Sequence, residues 1–300
     1  MSKKWWRSFH SESGQAIVLV ALAIVAIIAM ASLAIDGGYA YAQKRKLQDA
    51  VDLAALAGAR ALGMGATEDE IAQVINYYAT TNGAQSVSYV LVDANGQPTG
   101  DIDDARGVSV TGQLTFPTFM AGIVGISSMT ATATGGAELY GLSSAGNLLP
   151  MAVHEADFEY NVVYELWDDN HEAPGAFGWV DWDGGGGGAN ELADNIANPA
   201  NSGVWHVGDL VPAEPGVKAS ALVRNALNLW RNRNVTVILY DDVSGQGSNT
   251  RYRVSGFAEF VLVDYRLQGN DKRVWGYFIR HVAQGEPGGP DFGLQGIKLK

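Results

Sequence analysis

Side chains able to do chemistry are unevenly placed in this chain. Asp168, Asp169 and Asn170 stand at the end of one apolar segment. Asp181 and Asp183 stand at the end of another, before the five glycines Gly184 to Gly188. Acids clustered on turns supply the oxygen ligands that Ca2+ gathers, roughly six to eight at a time. Asp168, Asp169, Asp181 and Asp183 are therefore the candidate metal ligands, with Ca2+ the candidate ion; no other cofactor has a motif here. Asp181-Trp182-Asp183-Gly184 lacks the third Asp or Asn that an EF-hand loop carries before its glycine, so solvated turn acids are the competing reading. The glycine run is followed by no Lys suited to phosphate and reads as a flexible loop tip.

Catalytic signatures are missing. The histidines His10, His154, His171, His206 and His281 are dispersed, and neither His154-Glu155 nor His171-Glu172 has a second histidine at the zinc-protease offset. There is no P-loop and no G-x-S-x-G. The absence of cysteine excludes disulfides, thiolate metal sites and cysteine nucleophiles. A glycosidase needs two carboxyl groups roughly 5–10 Å apart in a cleft, and a chain rich in acids offers many such pairs without geometry to select one. Trp167, Trp179, Trp182, Trp205, Trp230 and Trp275 all lie in the second half, as core residues or as a sugar-stacking platform beside the acidic turns.

The elements that must carry these residues follow from hydrophobic pattern. With 47% hydrophobic and 17% charged residues in 300, the chain is globular and long enough for two domains. Ala16 to Ile35 is a run of twenty residues with no charge and Ser32 as its one polar side chain. A helix of that length spans roughly 30 Å, the hydrocarbon thickness of a bilayer. Ala16, Leu19, Leu22, Ile24, Ile27, Ile28, Leu33 and Ile35 are the expected membrane anchor, with Trp5 and Trp6 upstream at interfacial depth. The run exceeds the core of a cleaved secretory signal. Lys3, Lys4 and Arg7 flank it on one side, Lys44, Arg45 and Lys46 on the other, so local positive charge leaves orientation undecided.

Beyond the membrane the helical period continues. Leu47, Ala50, Val51, Ala54, Ala57 and Ala61 recur at spacings of three and four and form one small-residue face, the expected assembly face. Gly37 and Gly38 sit where a hinge or a kink would be. Thr67-Glu68-Asp69-Glu70 starts a second helix running to about Thr81, with Ile71, Val74, Ile75 and Tyr78 as its apolar stripe. Strands are expected at 87–92, 108–114 and 128–137, with a turn at Asp93-Ala94-Asn95-Gly96. Residues 141–150 read as a linker. Aromatic strands follow at 158–167, 177–182, 235–240, 252–267 and 272–282, with a bulge at Gly256. Helices are expected at 190–196 and 217–230, the latter turning Ala221, Leu222, Ala226 and Leu229 inward. The fold class is α+β: a long N-terminal transmembrane helix with a small pilin-like antiparallel sheet, then a mostly β domain with a few helices. The expected divisions are a basic tail (1–15), the transmembrane helix (16–35), a pilin-like region (36–140), the linker, a distal domain (151–285) and a C-terminal tail (286–300).

Charge is asymmetric as well. Residues 1–46 carry a net +4 and the remainder −16, which suits a basic end at anionic lipid headgroups and argues against nucleic acid as a partner.

The stretch from Gly14-Gln15-Ala16 through Asp36, the basic cluster, Leu47-Gln48-Asp49-Ala50 and Asp52-Leu53-Ala54-Ala55-Leu56-Ala57-Gly58-Ala59 closely resembles the N-terminal segment of TadE/TadG-like proteins of the Tad (Flp) pilus system. Residues 108–139, and segments beyond Pro150, look like later parts of such proteins. The resemblance implies a membrane-anchored, extracytoplasmic assembly component with a cytoplasmic N-terminus, whose partners are the membrane, other pilus or secretion-system proteins and further copies of itself. Leu19 stands where pilin-type processing after Gly14 would want a Glu. Gln246 stands where the von Willebrand type A motif of larger relatives, begun by Asp242-Val243-Ser244, would want a second serine. Three functions are thereby set against each other. The first is a non-enzymatic pseudopilin-like component. The second is a surface adhesin using the aromatic and acidic loops for glycans or Ca2+. The third is a hydrolase built on paired carboxylates.

Overall fold

The computed structural model describes residues 13–155, 159–166, 178–214, 220–268 and 271–300. Asp168, Asp169, Asn170, His171 and Trp167 lie outside them, as do the first residue of the strand expected at 177–182 and the start of the helix expected at 217–230.

The helix α1 (Ser13–Gly63) runs unbroken through Gly37 and Gly38. At about 1.5 Å per residue it is roughly 75 Å long. Helix α2 (Glu68–Thr81) starts with the capping box read from sequence: the Glu70 backbone N–H donates to Thr67 Oγ1, and the Thr67 N–H donates to the Glu70 carboxylate at 2.8 Å. The next strands are β1 (Ser86–Val92), β2 (Pro98–Thr99), β3 (Gly107–Pro117) and β4 (Ser128–Gly141). They pair antiparallel in the spatial order β4-β3-β1-β2, with Asp93 Oδ1 accepting the N–H groups of Asn95 and Gln97 to close the β1–β2 turn.

The distal part contains β5 (Ser144–Gly146), β6 (Leu148–His154), β7 (Tyr164–Leu166), α3 (Gly188–Ala197), β8 (Val204–His206), β9 (Leu210–Pro212) and α4 (Ala221–Asn228). Then come β10 (Asn234–Ser244), β11 (Arg251–Gln268) and β12 (Asp271–Ile279). Their main sheet has the order β6-β10-β11-β12-β7, with β6 parallel to β10 and β9 on a free stretch of β11. The expected bulge is there: Leu239 pairs with Gly256 but Tyr240 pairs with Val254. Beyond it, Phe257 to Leu262 is buried on both faces, one against α3 and α4 and the other against β5 and Val211 of β9.

Three expectations are corrected. Residues 141–150 are no linker: Leu142, Leu148 and Leu149 are core, because β6 must pair with β10 to cover that sheet edge. Residues 286–300 are no tail: β13 (His281–Val282) and β14 (Leu294–Leu299) return to the first sheet, where β14 pairs antiparallel with β4 from Gln295↔Gly141 to Leu299↔Ala137. The distal domain is therefore inserted into the proximal sheet. In α4, Val223, Ala226 and Leu227 face the core while Leu222 and Leu229 are exposed, because the face packed on the distal core is one residue out of phase with the expected stripe.

Candidate functional sites: the anchor helix, its outer face and an acidic turn

The anchor residues behave as a group. Ala16, Leu19, Leu22, Ile24, Ile27, Ile28, Leu33 and Ile35 are all exposed, and no part of the most apolar window of α1 is buried within the protein. A core helix of a soluble domain would be covered. An uncovered stretch of this length and hydropathy is what crosses a bilayer.

The expected assembly face divides. Leu47, Ala50, Val51 and Ala54 are fully buried, with Leu47, Val51 and Ala54 packed on β3, β4 and α2. The small side chains let helix and sheet approach closely, and the sheet reciprocates: a Cβ at Gly135 would stand 2.9 Å from the backbone nitrogen of Asp52. These four residues hold the domain together and are unavailable to a partner. Ala57 and Ala61 are half-buried and instead line an apolar groove between α1, α2 and β14, with Leu53, Leu56, Met64, Val74, Tyr78 and Ile297. Leu53, Met64 and Tyr78 are exposed. Tyr78 was expected to face inward; Ala79 takes that place, and the tyrosine stands at the groove.

Asp36 closes the apolar run and is nearly buried. Its carboxylate accepts the backbone N–H of Phe119 at 2.8 Å, of Met120 at 3.1 Å and of Ala121 at 2.6 Å. Burial alone would raise its pKa; the three N–H donors outweigh that and hold the carboxyl below its ordinary range. Tyr39 sets its ring edge-on to Phe116 and Phe119, with centroids 5.5 and 4.9 Å away. The β3–β4 connection is thus fastened to α1 where the apolar run ends. Nothing in the local pattern around Asp36 announces a partner 83 residues away.

Of the candidate metal ligands, Asp181 and Asp183 come together, and Glu191 of α3 joins them with carboxylate oxygens within 4.8 Å of one another. Asp181 is buried; its Oδ2 accepts the Gly186 N–H at 2.8 Å, and Asp183 Oδ1 accepts that of Gly185 at 2.7 Å. Gly184, Gly186 and Gly188 have φ near +75°, a conformation natural to glycine, which folds the loop back over the acids. The run is a structured turn ending at the start of α3. Burial, then the charges of Asp183, Asp181 and Glu214, push the Glu191 pKa up. Sequence reasoning missed Glu191 because its approach depends on that turn. Trp182 and Trp205 pack at 5.9 Å beside the distal core, and Trp205 Nε1 donates to the Ser202 carbonyl. Both are half-buried, which suits packing better than an open stacking platform. A cleft of about 540 Å3 lies between Met64–Thr67, Ile102–Asp103, Tyr160–Asn161 and Ile279–Arg280; Asp103 is the one carboxylate in its lining.

Compared with known proteins, residues 14–61 match the model of the Tad family, described as "Putative Flp pilus-assembly TadE/G-like". The match covers the anchor and the packed part of α1. No curated protein and no solved structure matches the chain.

Proposed function

We propose that this chain is a non-enzymatic, membrane-anchored, pseudopilin-like component of Flp-type pilus assembly or secretion. Residues 1–15 are cytoplasmic, residues 16–35 cross the membrane, and the chain from about residue 40 lies outside. The single observation that carries the reading is α1 itself: one continuous helix whose first half is bare apolar surface and whose second half is the spine of a folded domain. The family match to residues 14–61 supports it by falling on that helix. The flanking cations tie, so the orientation rests on the family resemblance. The protein acts by contact. With Leu47, Ala50, Val51 and Ala54 consumed by the domain's own core, the surface left for other pilus or secretion-system proteins is the groove edged by Leu53, Met64 and Tyr78.

Two measurements test this. Protease added to spheroplasts should digest an epitope placed after Lys300 and spare one at Met1. A photo-crosslinking residue at Leu53 should capture a component of the pilus machine, and one at the exposed Gly100, where an added Cβ meets nothing within 4 Å, should not. Fractionation of the full chain as a soluble protein, or the reverse protease pattern, would overturn the proposal.

One observation favours a second reading, a Ca2+-dependent binding module: the convergence of Asp181, Asp183 and Glu191. A cation there would relieve the like-charge repulsion on Glu191. Millimolar CaCl2 should then raise the melting temperature, and Asp183→Asn should abolish the increment. An unchanged melting temperature removes Ca2+ from the account.

A further inference from the structure

The β3–β4 connection has a composition unlike the rest of this acidic protein. Between Arg106 and Glu138 there is no ionisable side chain at all. The outer face of the hairpin is threonine, with Thr111 opposite Thr134 and Thr115 opposite Thr130, their hydroxyls 3.0 and 2.9 Å apart. Its tip carries large apolar side chains turned outward: Phe119 is 61% exposed, Ile123 76%, Ile126 52% and Met129 40%. An apolar cluster of this kind on a water-facing loop is costly and marks a contact surface.

Its position says which contact. Asp36, the first residue after the membrane run, holds the tip through the N–H groups of Phe119, Met120 and Ala121. One turn earlier on the same face, Ser32 is half-buried while Ala31 and Leu33 are exposed. The tip therefore sits level with the last turn of the span. Its backbone is also prepared for low water. The N–H groups of Thr118, Ile123, Gly125 and Ile126 donate to carbonyls inside the turn, and the Thr118 hydroxyl donates to the Ile126 carbonyl. Apolar surroundings demand such internal satisfaction.

We propose that the β3–β4 tip, residues 118–127, inserts into the outer interface of the bilayer beside the transmembrane helix, with Phe119, Ile123 and Ile126 among the lipids. The occupant is lipid and not a protein partner because the tip continues the established apolar surface of α1 at the same depth and carries no charge to specify a partner. Insertion to about 5–10 Å, the depth at which amphipathic segments lie, brings the tip to the headgroup–acyl boundary. A helix alone leaves the ectodomain free to rotate about it. A second contact, clamped to the helix by Asp36, fixes which face of the domain looks along the membrane.

The inference rests on the membrane reading of residues 16–35, and its test separates the two. The chain has no cysteine, so single cysteines can be labelled cleanly. Full-length Ile24→Cys, Ile123→Cys and Ala94→Cys would each carry a nitrobenzoxadiazole probe in phosphatidylcholine–phosphatidylglycerol liposomes. Ala94 lies in the turn beyond the far end of β1 from the tip. A lipid-borne doxyl quencher should quench the probes at 24 and 123 several-fold more than the one at 94, and iodide should do the opposite. Quenching at 24 with iodide access at 123 equal to that at 94 overturns the inserted tip and leaves the anchor standing. A probe at 123 shielded from both quenchers overturns it in favour of a protein contact. No lipid quenching at 24 overturns both.

Discussion

Glu259 shows what a single side chain costs when the element around it is committed to the core. It is the one acid in the doubly covered stretch Phe257–Leu262, and it is nearly buried. Burial raises its pKa; the hydrogen bond donated by Thr236 Oγ1 at 2.9 Å, the nearby His281 and Asn234 offset part of that. A raised carboxyl pKa means that folding favours the protonated form. The stabilising contribution is complete below the unfolded pKa and is lost as pH rises through the folded one. Glu259→Gln keeps the shape and removes the titration, so it should melt higher than the parent at pH 7. The difference should shrink on acidification to about pH 4, near the ordinary carboxylate range. A constant difference in melts across that range would show that titration is not its cause. At the acidic turn, by contrast, the repulsion among Asp181, Asp183 and Glu191 is the kind a bound cation removes, which is why the two sites should answer differently to pH and to Ca2+.

At the scale of elements, α1 does two jobs with one sequence pattern. Its alanine stripe was read as an assembly face, and the position of the sheet turns most of it inward. Ala50 and Ala54 have no exposed surface, and Val51 packs where a Cβ at Gly112 would lie 2.7 Å from its Cγ1. Adding volume there must push the helix off the sheet. Ala54→Leu should destabilise the ectodomain by about 1–3 kcal/mol, as overpacked cores do. Leu53→Ser, one residue away on the exposed edge of the groove, should leave the melt within about 0.5 kcal/mol and weaken the crosslink to the pilus machine. Thermal unfolding of both variants decides the point: equal losses would mean that Leu53 belongs to the core after all. The Gly37-Gly38 pair does not interrupt the helix, and a Cβ at either position meets nothing within 4 Å. Their contribution is a weaker helical stretch just beyond the membrane, by about 1 kcal/mol per glycine against alanine.

For the whole molecule, the decisive feature is that the chain comes back from the distal domain to the proximal sheet. Strand β14 completes the sheet that α1 supports, and Lys298 and Lys300 both pair with Glu138 on β4. Gln295 is buried and donates to Asp291, which also lies 3.7 Å from Arg106. Residues 36–140 are therefore not a self-sufficient unit, and the distal domain is held at both ends. Removing residues 294–300 would leave β4 paired with β3 alone and expose its other edge, the usual route to aggregation. That truncation should lower the melting temperature of the proximal sheet and open Gly135–Gly141 to proteolysis, while the distal sheet keeps its pairing. Intact resistance of that segment to protease would show that β14 is dispensable.

What the sequence determined by itself was local. An uncharged run of twenty residues is apolar whatever surrounds it, a Thr-x-x-Glu box satisfies its own N–H groups, and alternating residues at 108–114 declare a strand. The Tad resemblance falls in the same class, since its residues are contiguous. The tertiary structure decided everything that depends on the other side of a contact. Periodicity states that Ala50 and Ala54 share a face with Ala57 and Ala61, but only the placement of the sheet separates the buried pair from the half-exposed one. Asp36 reaching Phe119, Glu191 reaching Asp181, and Leu294–Leu299 reaching β4 all rest on backbone groups or carboxylates that look the same at any position along a chain. Which of them meet is set by the path of the chain between them, because hydrogen bonding and charge act over ångströms in space and take no account of separation in sequence.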